Sequence, residues 1–234
     1  MDNIKKKIHR QYVKQIYRTM GYYLSERLKN TPITPNQITL SRILLVILAS
    51  IFILSDFYFL KLISAILLIM FSMFDALDGS LASTKNEFSL LGTWLDPQID
   101  RLGLLLIFLS IAFNLSRESE FYVYLTMYVL VIFFFRGLIP SDIRLKDKFK
   151  SLSDDNNEKK ILGSKFKEKK KEGIFYQIKL QTSPHSHNLV LYIVIGLILN
   201  ILNVIIIFLS LYLTIWYIWS NYKVILKAIK IDKR

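Results

Sequence analysis

The sequence predicts an all-α integral membrane bundle of six transmembrane helices with an N-terminal juxtamembrane amphipathic helix. Three observations lead there. Hydrophobic residues make up 53% of the 234-residue chain and aromatics 14%, too apolar for an ordinary soluble domain. Six apolar segments approach the length of about 20 residues that a helix needs to cross a bilayer. All but Lys61 and Arg117 of the 31 lysines and arginines fall on one side of those segments, the side of both termini. Positive charge is retained in the cytoplasm, so both termini are expected there. That asymmetry also accounts for the net charge of +13. No nucleic-acid partner is expected, because the aromatics lie in lipid-length runs. The absence of cysteine excludes disulfides and thiolate metal sites.

Residues 1–33 form the juxtamembrane unit. Ile4, Ile8, Tyr12 and Ile16, with Val13, Tyr17, Met20, Leu24 and Leu28, recur at three- and four-residue steps, and Lys5, Lys6, Arg10, Lys14 and Arg18 fill much of the other face. Such a helix either lies in the headgroup region or packs on the inner face of the bundle. The first 37 residues lack an apolar core, so no secretory signal peptide is expected. Residues 34–234 form one membrane domain, with spans near 38–55, 57–80, 88–114, 120–139, 184–200 and 203–222. Pro97 removes a backbone donor inside the third span and is expected to bend it. Residues 141–183 are polar and basic and read as a flexible cytoplasmic loop. Asn200 and Asn203 mark the last turn. Trp216, Tyr217, Trp219 and Tyr222 read as an interfacial aromatic belt.

Chemistry concentrates in the stretch FDALDGSLASTKNEFSLLGTWLDPQID. Asp75, Asp78, Gly79 and Ala82 share one helical face, and Gly92, Asp96, Asp100 and Gly103 share a face of the next helix. One ionised aspartate deep in a membrane helix costs about 2.5–3.5 kcal/mol. Four such residues at one end of a hairpin call for bound cations. Hard oxygen ligands without sulfur select Mg²⁺, Mn²⁺ or Ca²⁺, and four carboxylates suit two adjacent ions that clamp phosphate oxygens. The small residues leave room for a bulky ligand against the backbone; close helix packing is the other use of such residues in membranes.

Asp75-x2-Asp78-Gly79-x2-Ala82, followed by Gly92-x3-Asp96-x3-Asp100, resembles the signature of the CDP-alcohol phosphotransferases. Thr34 to Thr39, TPNQIT, is similar to that family's entry into its first membrane helix. The resemblance implies a homodimeric enzyme of phospholipid biosynthesis. Its donor would be a CDP-linked lipid, usually CDP-diacylglycerol, whose phosphatidyl group passes to an alcohol with release of CMP. It implies Mg²⁺ or Mn²⁺ on Asp75, Asp78, Asp96 and Asp100, with Asp100 also taking the acceptor's proton. It places Asn36, Gly79, Ala82, Ser83 and Gly92 around the CDP moiety. Asn36 is equally placed to cap the first span. Ser83 stands where the family signature has arginine, so a charged fork to phosphate is replaced by one hydroxyl. Lys85 substitutes for it only if the helix ends first.

Arg101 and Arg136 are candidates to bind an anionic acceptor such as glycerol 3-phosphate or inositol phosphate; each is equally suited to snorkel to lipid phosphate. His185 and His187 border the fifth span and are more weakly indicated. A prenyltransferase would carry widely separated acidic clusters, whereas 17 residues separate Asp78 from Asp96. A divalent-cation transporter and a catalytically impaired family member remain as alternatives to the transferase.

Overall fold

The computed structural model describes residues 12–136 and 186–232, which are helical, with no strand among them. The helices are α1 (Tyr12–Leu28), α2 (Pro35–Ile53), α3 (Tyr58–Lys85), α4 (Leu90–Ser116), α5 (Glu120–Arg136), α6 (Ser186–Ile198) and α7 (Leu202–Asp232). Four are long and apolar enough to cross a membrane: α2, α3, α4 and the Leu202–Tyr222 part of α7. Shorter apolar stretches, Glu120–Phe135 and Asn188–Ile198, lie in α5 and α6. The expected loop at 141–183 and His185 lie outside the described residues.

Local chemistry sets the boundaries. Thr34 begins α2 with a capping box: the Gln37 amide donates to the Thr34 hydroxyl at 3.3 Å, and the Thr34 amide donates to Gln37 Oε1 at 2.9 Å. Pro35 follows at the first helical position, where its missing N–H costs nothing. α3 runs to Lys85, five residues past the apolar span expected at 57–80, and stops at Asn86 with φ 56°, a left-handed conformation asparagine tolerates. Ser89 caps α4, accepting from the Gly92 amide at 2.9 Å. Only residues 86–89 join the two acidic helices. α4 continues through Pro97 as a single helix. Asn200, with φ 53°, makes the turn between α6 and α7. α7 then runs about ten residues beyond the expected boundary at 222.

The six apolar helices close a ring in the order α2, α3, α6, α7, α5, α4. The core fills it with Leu68, Ile107, Phe108, Ile111, Leu189, Ile193, Leu209 and others, all essentially buried. Connections at one end are tied together: Tyr58 donates to the Ile198 carbonyl at 2.5 Å, Lys61 to Asn200 at 3.4 Å, Asn203 to Glu118 at 3.2 Å, and Arg117 pairs with Asp56. Lys61 and Arg117, the two basic residues set apart in the sequence, therefore share the end opposite the aspartates.

α1 packs on α3 beside the acidic end. Leu24 and Leu28 join a small cluster with Ile38, Leu77 and Leu81, while Ile16 and Met20 of the same apolar stripe stay exposed. The helices approach tightly at Gly21, where an added Cβ would lie 2.8 Å from the Ala76 carbonyl oxygen, next to Asp75. Gly21→Val is therefore expected to cost about 1–3 kcal/mol by overpacking. A lowered unfolding midpoint in detergent, with earlier proteolysis within α1, is the measurement.

Candidate active site

The four aspartates meet at one end of the ring, and an arginine stands among them. α3 presents Asp75 and Asp78; α4 presents Asp96 and Asp100. α2 packs against both helices, which meet each other through side chains such as Phe71 of α3 beside Gly103 of α4. Arg42 projects from α2 into that junction and is 0% exposed. Its Nη1 faces Asp96 and Asp78, the latter at 3.4 Å, and its Nη2 faces Asp100 and Asp75, the latter at 2.7 Å. The guanidinium carbon sits 5.0 Å from the centre of the Phe71 ring, a cation–π arrangement. Gly103 makes room for that ring: a Cβ there would meet Phe71 at 3.0 Å.

The carboxylates differ in what they offer. Asp78 is nearly buried and directs both oxygens to protein donors, Oδ1 to the Gly79 amide at 2.6 Å and Oδ2 to the Thr39 hydroxyl at 2.8 Å. Asp75, Asp96 and Asp100 are partly exposed, and each presents an oxygen within 4.8 Å of the others. This all-oxygen set fits a hard divalent cation. The Ser186 hydroxyl, at the start of α6, makes a long contact of 3.5 Å to Asp100 Oδ2.

Beside the cluster lies a cavity of about 240 Å³. Of the residues expected there, Asn36, Gly79, Ala82 and Gly92 line it, together with Asp78 and Asp96. Pro35, Thr39 and the connection residues Glu87, Phe88 and Ser89 complete the wall. The two glycines do different jobs. A Cβ on Gly79 would meet nothing within 4 Å, so its smallness leaves open cavity. A Cβ on Gly92 would lie 2.8 Å from Asn36 Oδ1 and 2.9 Å from Ser89 Oγ, so that glycine lets those side chains meet. Ser89 donates to Asn36 Oδ1 at 2.9 Å, which joins α2 to the start of α4. Thr34, not Asn36, caps α2.

On the resemblance's implication that this cavity takes the CDP moiety, Gly79→Trp is expected to weaken CDP binding by about tenfold or more while leaving the unfolding midpoint near wild type, since the side chain enters open space. Equilibrium CDP titration alongside thermal unfolding checks it.

Other expected residues lie apart. Ser83 is exposed and is not among the cavity-lining residues. Lys85 does not stand in for the missing arginine: α3 continues to it, and its ammonium donates to the carbonyls of Thr31 at 2.6 Å and Ile33 at 2.8 Å. Arg101 is exposed, away from the cavity. Arg136 ends α5 and His187 lies in the first turn of α6, their side chains outside the described residues. Sequence reasoning assigned no role to Arg42, Thr39 or Phe88. A signal existed for the first, a lone charge inside an apolar span, which requires partners.

The ring of apolar helices, four of membrane length, thus holds a carboxylate cluster beside a cavity at one end. The family model described as CDP-alcohol phosphatidyltransferase matches residues 32–216, and the chain belongs to that family. Over 81 residues the chain is 37% identical to archaetidylinositol phosphate synthase of Pyrococcus horikoshii. That stretch is 34% of this chain and 41% of the relative, so the match spans less than half of the relative's length.

Proposed function

We propose that the protein transfers a phosphatidyl-type group from a CDP-linked lipid to an alcohol, releasing CMP. The observation that carries this is the convergence of carboxylate oxygens from Asp75, Asp96 and Asp100 beside a cavity lined by Asn36, Gly79 and Ala82. Family membership supports the same reading. In the proposed step the acceptor hydroxyl forms a bond to the β-phosphorus of the donor. The bond from that phosphorus to the bridging oxygen breaks, and CMP leaves with the electron pair. Asp100 takes the hydroxyl proton as charge develops.

Asp75, Asp96 and Asp100, with Asp78 behind them, would hold one or two Mg²⁺ or Mn²⁺ ions. Such ions supply charge stabilisation to the diphosphate and the leaving group. Arg42 keeps the four carboxylates turned toward one another. Gly79 and Ala82 let the nucleotide reach the backbone, and Asn36, fixed by Ser89, offers it a polar contact. The relative's name includes an inositol phosphate, which places that compound first among acceptors to test, ahead of glycerol 3-phosphate. We further read six spans, both termini and the acidic end on the cytoplasmic side, and a homodimer.

The test is CMP release by purified protein given CDP-diacylglycerol and a CDP-archaeol-type ether lipid, with Mg²⁺ or Mn²⁺, across alcohol and sugar-phosphate acceptors. Acceptor-dependent release that EDTA abolishes is expected. Release from no CDP-lipid, with Mn²⁺ transport by the protein in liposomes, would replace this reading with a transporter. Ser83 lies outside the cavity lining but next to Ala82, so Ser83→Arg is expected to tighten CDP-donor binding several-fold by extending a charged fork from that exposed position toward the phosphate. An unchanged or poorer dissociation constant contradicts that account of the position.

A further inference from the structure

Arg42 poses a question that the proposed chemistry does not use. Its guanidinium contacts Asp75 Oδ1, Asp78 Oδ2, Asp96 Oδ1 and Asp100 Oδ1, the side chains that would ligate metal. It is fully buried, its Nε finds no acceptor among the described residues, and Phe71 backs it. An arginine so enclosed is held beside the carboxylates. Arg42 and divalent ions must therefore share one carboxylate set.

We propose that Arg42 is a positioning residue that acts as an internal counter-cation, making tight binding of a second divalent ion depend on the donor's diphosphate. This rests on the transfer reading for the donor's identity, and on the cluster alone for its physics. Four carboxylates at −4 and one guanidinium at +1 leave a net charge of −3. One divalent ion brings the site to −1. A second would bring it to +1 beside the buried guanidinium, where like charges repel more strongly than in bulk water. A diphosphate adds negative charge at that step and removes the penalty. The second ion and the donor then bind together, so a fully charged pair of metals forms only when a phosphate ester is present to be acted on. Occupancy is thereby coupled to substrate through one fixed charge.

The experiment is a Mn²⁺ titration of the purified full-length protein in detergent, reading free Mn²⁺ by electron paramagnetic resonance, with and without CDP. Wild type is expected to take one Mn²⁺ tightly alone and a second about tenfold or more tightly when CDP is added. Arg42→Gln should take the second ion at least about tenfold more tightly than wild type without CDP, and CDP should then add little. Arg42→Lys keeps the charge and should behave as wild type. Equal or weaker Mn²⁺ binding by Arg42→Gln, or Arg42→Lys behaving like Arg42→Gln, overturns the proposal. So does wild type binding two ions equally well without CDP, a result that needs no variant to fold. Wild type binding no Mn²⁺ under either condition overturns the metal reading of the cluster as well. Normal metal binding with no turnover of any CDP-lipid would overturn only the transfer reading.

Discussion

Asp100→Asn is expected to cut acceptor-dependent CMP release by about 10²–10⁴-fold, the range of a lost general base. The substitution is close to isosteric. An amide oxygen can still accept from Arg42, and an amide can still meet the Ser186 hydroxyl that lies 3.5 Å from Asp100 Oδ2. What disappears is a negative charge and a place for the acceptor's proton. The unfolding midpoint should therefore move little while turnover collapses. Because Asp100 also belongs to the converging triad, part of the loss would come through the metal. A Mn²⁺ titration separates the two: binding weakened far less than turnover marks the base. Turnover equal to wild type would remove Asp100 from the mechanism.

The second large effect is expected from Asp96→Asn. Asp96 is the one residue of the triad that also lines the cavity, which puts it between the cluster and the ligand space. Metal stabilisation of a transferring phosphoryl oxygen is worth several kcal/mol, so its loss corresponds to about 10²–10³ in rate. Mn²⁺ affinity should fall in parallel. Asp78→Asn provides the contrast. Both Asp78 oxygens are directed to protein donors, Gly79 and Thr39, so its removal should weaken Mn²⁺ less than Asp96→Asn and destabilise the fold more. Parallel titrations and unfolding curves on the two variants decide the order.

Much of this arrangement was legible in the chain because membrane physics leaves few choices. A run of apolar residues must be helical, and acids at helical spacing share a face. Asp75, Asp78, Asp96 and Asp100 thus came together as expected, and Gly79, Ala82, Gly92 and Asn36 surround the cavity beside them. What periodicity could not supply was which helix stands between the acids. A hairpin of α3 and α4 reads as a pair on its own, yet α2 packs against both beside the acids, and that topology turns Arg42 from one basic residue among 31 into the centre of the site.

Of the two roles open to Asn36, the cap is taken by Thr34, whose box with Gln37 closes the start of α2. The apolar span expected at 57–80 stops short of the end of α3 at Lys85 because the last turn carries Ser80, Ser83 and Thr84 instead of apolar residues. In the structure the Ser80 and Thr84 hydroxyls bond back to carbonyls four residues earlier, at 2.7 and 2.9 Å, and Thr84 also meets Ser25 of α1 at 3.2 Å. Lys85 is drawn to the elbow before α2 for the same reason: two carbonyls there await a donor. Arg101 is exposed and does not line the cavity. It follows Asp100 by one position and so points about 100° away around α4.

The most direct test of the central claim is anomalous scattering from Mn²⁺ in crystals of the protein grown with CDP. The account predicts density among the carboxylates of Asp75, Asp96 and Asp100, at the mouth of the cavity formed by Asn36, Gly79 and Ala82. Manganese found elsewhere, or no manganese while CDP occupies that cavity, would contradict it.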